Sequence, residues 1–235
     1  METESTENSF RKDYKTLRQV GAGSALAGMT MSKITDEKEK ILVTACEIFF
    51  SRGFYKIPVD EIAASLKMSK KTIYKHFPTK EELVREVAHS FIQKHSSNIA
   101  AIISKKYNAV EKLYHIFKYL GREILNVNDK WFSDFHEHYP EIWEEIEKFR
   151  FKFMTANISR IIEQGKKEGC VVEMPSIIII NIFISSVRGI INPEFIMLNK
   201  IPVVLALEST LAVLMNGILT PKGKIILKKL NTEKV

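Results

Sequence analysis

The chain has 235 residues, 45% of them hydrophobic, with only ten glycines and seven prolines. This composition suits helices and is sufficient for one large or two modest cores. The net charge of +7 favours an anionic partner, either nucleic acid or a membrane surface. The first ten residues are acidic and polar without an apolar core, so a secretory signal is not expected.

The first segment, residues 1–32, is predicted to be a flexible tail. Its Gly-Ala-Gly-Ser-Ala-Leu-Ala-Gly run at 21–28 has some features of a dinucleotide-binding loop, but the third required glycine is absent. No strand–helix–strand unit follows, so a linker is expected rather than a nucleotide site. The first helix is predicted to begin at a Thr35 cap and to end at Gly53.

Residues 57–80 predict two short helices, at 58–66 and 69–76, joined by a tight turn. From Lys67 to Lys80 there are five lysines and no acidic residue, so this surface carries the charge that a phosphate backbone attracts. Such a helix pair can place a basic helix end against a DNA groove. The alternative is a surface helix pair with solvated lysines. Against it stand the residues able to pack one helix on the other, namely Val59, Ile62, Ala63, Leu66, Met68, Ile73 and Phe77.

Four motifs between Lys40 and Leu83 point to a known family. They are Ile41-Leu42-Val43-Thr44-Ala45-Cys46-Glu47-Ile48-Phe49-Phe50-Ser51-Arg52-Gly53-Phe54, Val59-x-x-Ile62-Ala63, Ser69-Lys70-x-Thr72-Ile73-Tyr74-x-His76-Phe77 and Lys80-Glu81-Glu82-Leu83. Together they resemble the N-terminal DNA-binding domain of the tetracycline-repressor (TetR) family of bacterial regulators. The resemblance implies an all-α fold, with a three-helix helix-turn-helix domain followed by a larger helical domain for ligand binding and dimerisation.

The resemblance also implies which residues contact DNA. In the family, the Tyr, the His and the later Lys touch phosphates, and the first turn of the third helix faces base edges. Lysine supplies mobile charge to phosphates, whereas Tyr and Thr hydroxyls fix the register. Tyr74 and His76 also have an alternative interpretation as ordinary packing residues. The DNA-contact candidates are Ser69, Lys70, Lys71, Thr72, Tyr74, Lys75, His76 and Lys80.

Three positions depart from the family pattern. Lys67 replaces the usual glycine of the inter-helix turn, so a non-glycine residue is expected near the left-handed region. Lys71 replaces a small residue and is expected to change the operator that is recognised. Ile57-Pro58 replaces the hydroxyl residues that usually begin the second helix, so a side-chain cap and one phosphate contact are lost.

The rest of the chain is predicted to be helical, because no strand-type alternation persists. A long helix from Lys80 joins the DNA-binding domain to further helices at 108–127, 131–137, 140–168, 175–191 and 202–217. The predicted organisation is a flexible tail at 1–32, a helix-turn-helix domain at 33–80, an effector-binding and dimerisation domain at 81–220 and a solvated basic tail at 221–235.

Aromatic residues with polar tips cluster in the middle of the chain, and apolar walls with a few polar groups are what ligand cavities need. TetR-like regulators bind a small, often hydrophobic effector in this domain. The residues predicted to line such a cavity are Phe117, Trp131, Phe135, His136, Tyr139 and Trp143. Plain core packing is the competing interpretation.

A second class of function is a helical, metal-dependent enzyme centred on Asp134, His136, His138 and Glu141. Imidazoles and carboxylates are suitable ligands, but the spacing is not that of a zinc-binding helix. A solvated polar loop is the alternative interpretation.

Two apolar stretches, 175–191 and 201–219, require a membrane test. Arg188 in the first and Glu208 near the centre of the second would be costly in lipid. Both are therefore predicted to be buried or subunit-facing helices, with no membrane partner. TetR-family proteins use their last two long helices as a dimer interface, so the resemblance implies a homodimer.

The resulting hypothesis is a cytoplasmic, homodimeric regulator that binds a double-stranded DNA operator. It acts as a repressor and is released by a small hydrophobic effector. Neither an enzymatic activity nor a cofactor is expected.

Overall fold

The computed structural model describes residues 36–124 and 129–232. Within these ranges the chain forms eleven helices, and an isolated antiparallel bridge joins Val171 to Leu219. The helices are α1 (Glu37–Arg52), α2 (Val59–Leu66), α3 (Lys70–His76), α4 (Lys80–Ser104), α5 (Ala109–Ile124), α6 (Asp129–His138), α7 (Pro140–Lys167), α8 (Ser176–Ile190), α9 (Pro193–Asn199), α10 (Val203–Ile218) and α11 (Pro221–Thr232).

Short-range hydrogen bonds set where the N-terminal helices begin. Asp36 caps α1 by accepting from the Lys38 backbone N–H at 3.0 Å, whereas the predicted Thr35 cap lies outside the described residues. Ser69 caps α3 and Thr79 caps α4, each accepting from the N–H three residues further on. Pro58 precedes α2 without a side-chain cap, as expected.

The turn between α2 and α3 has the predicted left-handed residue. Lys67 adopts φ 53° and ψ 36°, and its N–H bonds the end of α2. An L-residue pays about 1–2 kcal/mol for this conformation. The lysine therefore leaves strain in the turn that a glycine would relieve.

We predict that Lys67→Gly stabilises the fold by about 0.5–1 kcal/mol, because the gain in the turn exceeds the added entropy of the unfolded chain. Urea unfolding followed by circular dichroism measures the change. Lys67→Ala is the control, since alanine keeps the unfavourable conformation and is expected to give no gain. Equal stabilities for the glycine and alanine variants would contradict the assigned strain.

One hydrophobic core lies beneath the helix-turn-helix and continues into the C-terminal helices. Phe49, Phe54 and Phe77 of the N-terminal region are at most 2% exposed. They belong to the same cluster as Trp131 and Phe135 of α6. Packing therefore does not stop at the domain boundary predicted after residue 80.

A second core joins α5, α7, α8, α10 and α11. Helix α11 contradicts the predicted solvated tail over residues 221–232. Ile226, Leu227 and Leu230 pack against this core, and the Tyr114 hydroxyl donates to the Leu230 carbonyl at 3.2 Å. The lysines of 221–232 lie on the outer side of an amphipathic helix. The prediction of a solvated tail was based on these charges and overlooked the apolar residues on the opposite side.

The apolar helices α8 and α10 pack against each other and against the rest of the bundle. None of the helices in the ranges 36–124 and 129–232 combines the length and apolarity needed to cross a membrane.

A helix-turn-helix surface joined to an apolar cavity

Helix α3 is fixed on its inner side and free on its outer side. Ile73 and Phe77 are buried in the core beneath it. Lys71, Tyr74 and Lys75 are exposed on the opposite side. The sequence therefore presents a short helix whose exposed surface carries positive charge and a phenol.

Three further candidates lie at the start of the same helix. The Thr72 and Ser69 hydroxyls are 2.9 Å apart, and both belong to the N-terminal cap. Lys70 is exposed and donates to Asp60 Oδ2 at 2.8 Å, a hydrogen bond that raises the pKa of Lys70. These three residues lie beside Lys71 at the exposed N-terminal end of α3.

His76 and Lys80 each contact a residue of α1 or of the loop that follows it. His76 Nε2 lies 3.2 Å from Glu37 Oε2. Lys80 Nζ donates to the Tyr55 carbonyl at 2.5 Å, and burial lowers the pKa of Lys80. In this structure these two side chains support the base of the helix-turn-helix.

The loop after α1 is held directly by α6. Asp134 Oδ2 accepts from the backbone N–H groups of Phe54 and Tyr55 at 2.6 and 2.8 Å. The His138 ring stacks on Tyr55 with centroids 3.3 Å apart. We call this contact of Asp134 and His138 with residues 53–55 the α6 junction.

The α6 junction also bears on the metal-dependent enzyme. Asp134 already accepts hydrogen bonds from backbone N–H groups, His138 stacks on an aromatic ring, and His136 is exposed. Among residues 36–124 and 129–232, no group of three or more His, Cys, Asp or Glu side chains is placed to hold a metal. The metal-enzyme alternative is not supported.

A cavity of about 210 Å³ lies among the helices from α4 to α10. Its wall is mostly apolar and includes residues from α4, α5, α6, α7, α8 and α10. The aromatic side chains in the wall are Phe91, Trp131, Trp143, Phe149, Phe153 and Phe183. Such a wall suits a small apolar molecule.

The predicted lining residues divide into two groups. Trp131 and Trp143 line the cavity. Phe135 is fully buried against Phe54 at 4.6 Å, and Tyr139 also packs against Phe54, so both serve the N-terminal core. The other two candidates also lie outside the wall: His136 is exposed, and Phe117 stacks behind Phe183.

The sequence analysis missed His95, which is 8% exposed and lies in the cavity wall. Its Nδ1 is 2.6 Å from the Tyr119 hydroxyl. Burial lowers the pKa of His95 to about 4, so the ring is neutral at pH 7. The available signal was its position four residues after Phe91, on the same face of α4.

An apolar surface runs along the outer side of α8 and α10. Ile178 and Ile182 of α8 are 47% and 50% exposed, and Leu205 and Val213 of α10 are 49% and 73% exposed. The small residue Ala212 of α10 is also exposed. We call this surface the α8–α10 face.

Comparison with known proteins agrees with this geometry. Residues 41–87 match the family described as bacterial regulatory proteins, tetR family. The chain is 24% identical over 183 residues to the uncharacterized HTH-type transcriptional regulator YvaF of Bacillus subtilis, covering 77% of this chain and 94% of YvaF. It is 28% identical over 103 residues to the HTH-type transcriptional activator FasR of Mycolicibacterium smegmatis, covering 44% and 42% respectively.

The fold is also found in solved structures. A transcriptional regulator from Cytophaga hutchinsonii has a TM-score of 0.61 and 19% identity, covering 77% of this chain and 98% of that one.

The fold and its basic surface define a helix-turn-helix transcriptional regulator that binds DNA. Residues 41–87 match the TetR family of bacterial regulators, as the sequence motifs predicted. The prediction of a regulator rather than an enzyme is thereby confirmed.

Proposed function

We propose that the chain is a homodimeric repressor that a small apolar effector releases from a double-stranded DNA operator in the cytoplasm. One observation carries the effector part of this proposal. Trp131 of α6 lines the cavity and lies 4.4 Å from the Phe50 ring of α1. Trp131 therefore belongs both to the cavity wall and to the core that packs beneath the helix-turn-helix.

Release would follow from a shift between two conformers. An effector that fits the cavity better in one position of α6 favours that position. Since the α6 junction holds the loop at 53–55, a displaced α6 would move the helix-turn-helix with it. The two recognition helices of a dimer would then leave their half-site spacing.

The α8–α10 face supports the homodimer. The apolar side chains that define this face are 47–73% exposed, which is costly for a surface that meets water. A second copy of this face would cover them in a symmetric, self-complementary contact. A dimer also suits DNA recognition, because its two helix-turn-helix domains can reach half-sites about 34–36 Å apart, or a multiple of that distance.

The eight candidates are proposed as DNA contacts of two kinds. Lys71, at the exposed start of α3, is proposed to read base edges, and Tyr74 and Lys75 to meet phosphates. Lys80 and His76 are proposed to reach phosphates only after exchanging their present partners. Ser69, Lys70 and Thr72 complete the set around the N-terminus of α3.

We predict different effects for Lys71→Ala and Tyr74→Phe. Loss of a base-reading lysine should cost about 1–3 kcal/mol on the preferred operator and relax specificity at one position. Loss of a phosphate-binding hydroxyl should weaken binding to all sequences by a similar factor. Fluorescence anisotropy with the operator and single-base variants measures both. Identical specificity profiles for the two variants would contradict the assigned roles.

The proposed repression is tested with a reporter driven by the DNA upstream of the chain's own gene. Deletion of the gene should raise reporter output, and gel shifts with the purified protein should show preference for that DNA over random DNA. The relative FasR is named an activator, which makes activation the alternative. Lower output after deletion would establish activation and overturn repression.

A further inference from the structure

The cavity wall contains five polar residues among those described, which are His95, Ser96, Glu123, Arg150 and Asn157. Ser96 and Asn157 each donate to a main-chain oxygen of their own helix, at 2.8 and 2.9 Å. Arg150 donates to a glutamate one turn earlier at 2.6 Å, and Glu123 lies 3.9 Å from a lysine ammonium. These four side chains already have partners inside the protein.

His95 has a ring nitrogen that is not satisfied. Its side chain is nearly enclosed, and Nε2 is a buried atom without a hydrogen-bond partner among the described residues. Buried polar atoms are nearly always paired, so an orphan in the wall of a cavity calls for an explanation. A bound molecule that supplies the missing partner is one.

The neighbours of His95 indicate whether Nε2 donates or accepts. Asn98 Nδ2 donates to the Tyr119 hydroxyl oxygen at 2.9 Å. The Tyr119 hydrogen can then go to His95 Nδ1, 2.6 Å away, which satisfies all three groups. In the opposite tautomer, His95 and Asn98 would both donate to the Tyr119 oxygen, and the Tyr119 hydrogen would have no acceptor among the hydrogen bonds of the described residues. Nε2 therefore carries the proton and is a donor.

We propose that the effector is a compact, uncharged, largely apolar molecule with one carbonyl or hydroxyl oxygen that accepts a hydrogen bond from His95 Nε2. This inference rests on the proposed function and gives the chemical class of its effector. The absence of charge follows from the wall, where Glu123 and Arg150 are already paired and the imidazole is neutral at pH 7. The size follows from the cavity of about 210 Å³.

The protein has its own reporter for this site. The chain has two tryptophans, Trp131 and Trp143, and both line the cavity. Tryptophan fluorescence of the full chain therefore follows binding there. Menthone and p-menthane form a suitable probe pair, because they differ by one carbonyl group and absorb little where tryptophan is excited.

The experiment compares both probes on the wild-type protein, His95→Phe and His95→Gln. Phenylalanine keeps an aromatic ring but has no donor, whereas glutamine offers an amide N–H near the position of Nε2. The ratio of menthone affinity to p-menthane affinity should fall about ten-fold in His95→Phe. It should recover in His95→Gln. Unchanged p-menthane binding shows that the variant cavity is folded.

Each other outcome contradicts the inference in a distinct way. If both probes bind and the ratio is the same in all three proteins, His95 does not recognise the oxygen, but an effector cavity remains. If neither probe changes the fluorescence of the wild-type protein, the effector part of the proposed function fails together with the inference. DNA binding, measured by gel shift, is unaffected by either result.

Discussion

Val213→Glu is expected to convert the protein into a monomer that binds its operator at least about 100-fold more weakly. Val213 is the most exposed apolar residue of the α8–α10 face, at 73%. A second copy would bury the new carboxylate without a partner, which is strongly unfavourable. Operator affinity falls because joining two DNA-binding domains in one dimer raises the affinity by about 10²–10⁴-fold.

Analytical ultracentrifugation and gel shifts test this prediction at matched protein concentrations. Ile225→Lys is the matched control, because Ile225 is also exposed, at 59%, but lies on α11 outside the α8–α10 face. The control is expected to remain dimeric and to bind DNA normally. A Val213→Glu variant that stays dimeric would place the subunit contact elsewhere on the molecule.

Gly53→Ala is expected to destabilise the fold by about 3 kcal/mol. Gly53 ends α1 with φ 78° and ψ 177°, a region that is essentially open to glycine alone. A Cβ there would lie 2.6 Å from Asp134 Oδ2 and 2.9 Å from Lys130 Cβ. The variant therefore combines backbone strain with displacement of Asp134 from the two N–H groups that it binds.

The matched control for Gly53→Ala is Gly169→Ala. Gly169 also has a positive φ, of 67°, but an added Cβ would meet nothing within 4 Å. Backbone strain alone is expected to lower the free energy of unfolding of Gly169→Ala by about 1 kcal/mol. Urea unfolding of both variants separates strain from close approach. Equal losses would mean that contact with α6 does not constrain the loop.

Local features of the fold could be predicted from the sequence. The left-handed Lys67 and the missing side-chain cap at Pro58 depend on neighbours within a few residues, and both predictions were correct. The long helices α7, α8 and α10 begin within two residues of their predicted starts at 140, 175 and 202. Helical periodicity and proline breaks carry that information.

The cavity could be predicted only in part, because its wall is assembled from distant helices. Trp131 and Phe135 lie one turn apart on α6, yet one lines the cavity while the other is fully buried against Phe54. Sequence spacing cannot distinguish two buried sides of one helix. His95 was missed for a related reason, since a single histidine in an apolar stripe gives no sign of an unpaired nitrogen.

The central claim is that two copies of α3 are presented together to duplex DNA. Selection of binding sequences from a random DNA pool by the purified full chain tests it most directly. The account predicts enrichment of a palindrome whose half-sites are separated by one helical turn or a multiple, with a weaker base preference at one half-site position in Lys71→Ala. Enrichment of a single, unpaired half-site, or of no sequence at all, would contradict it.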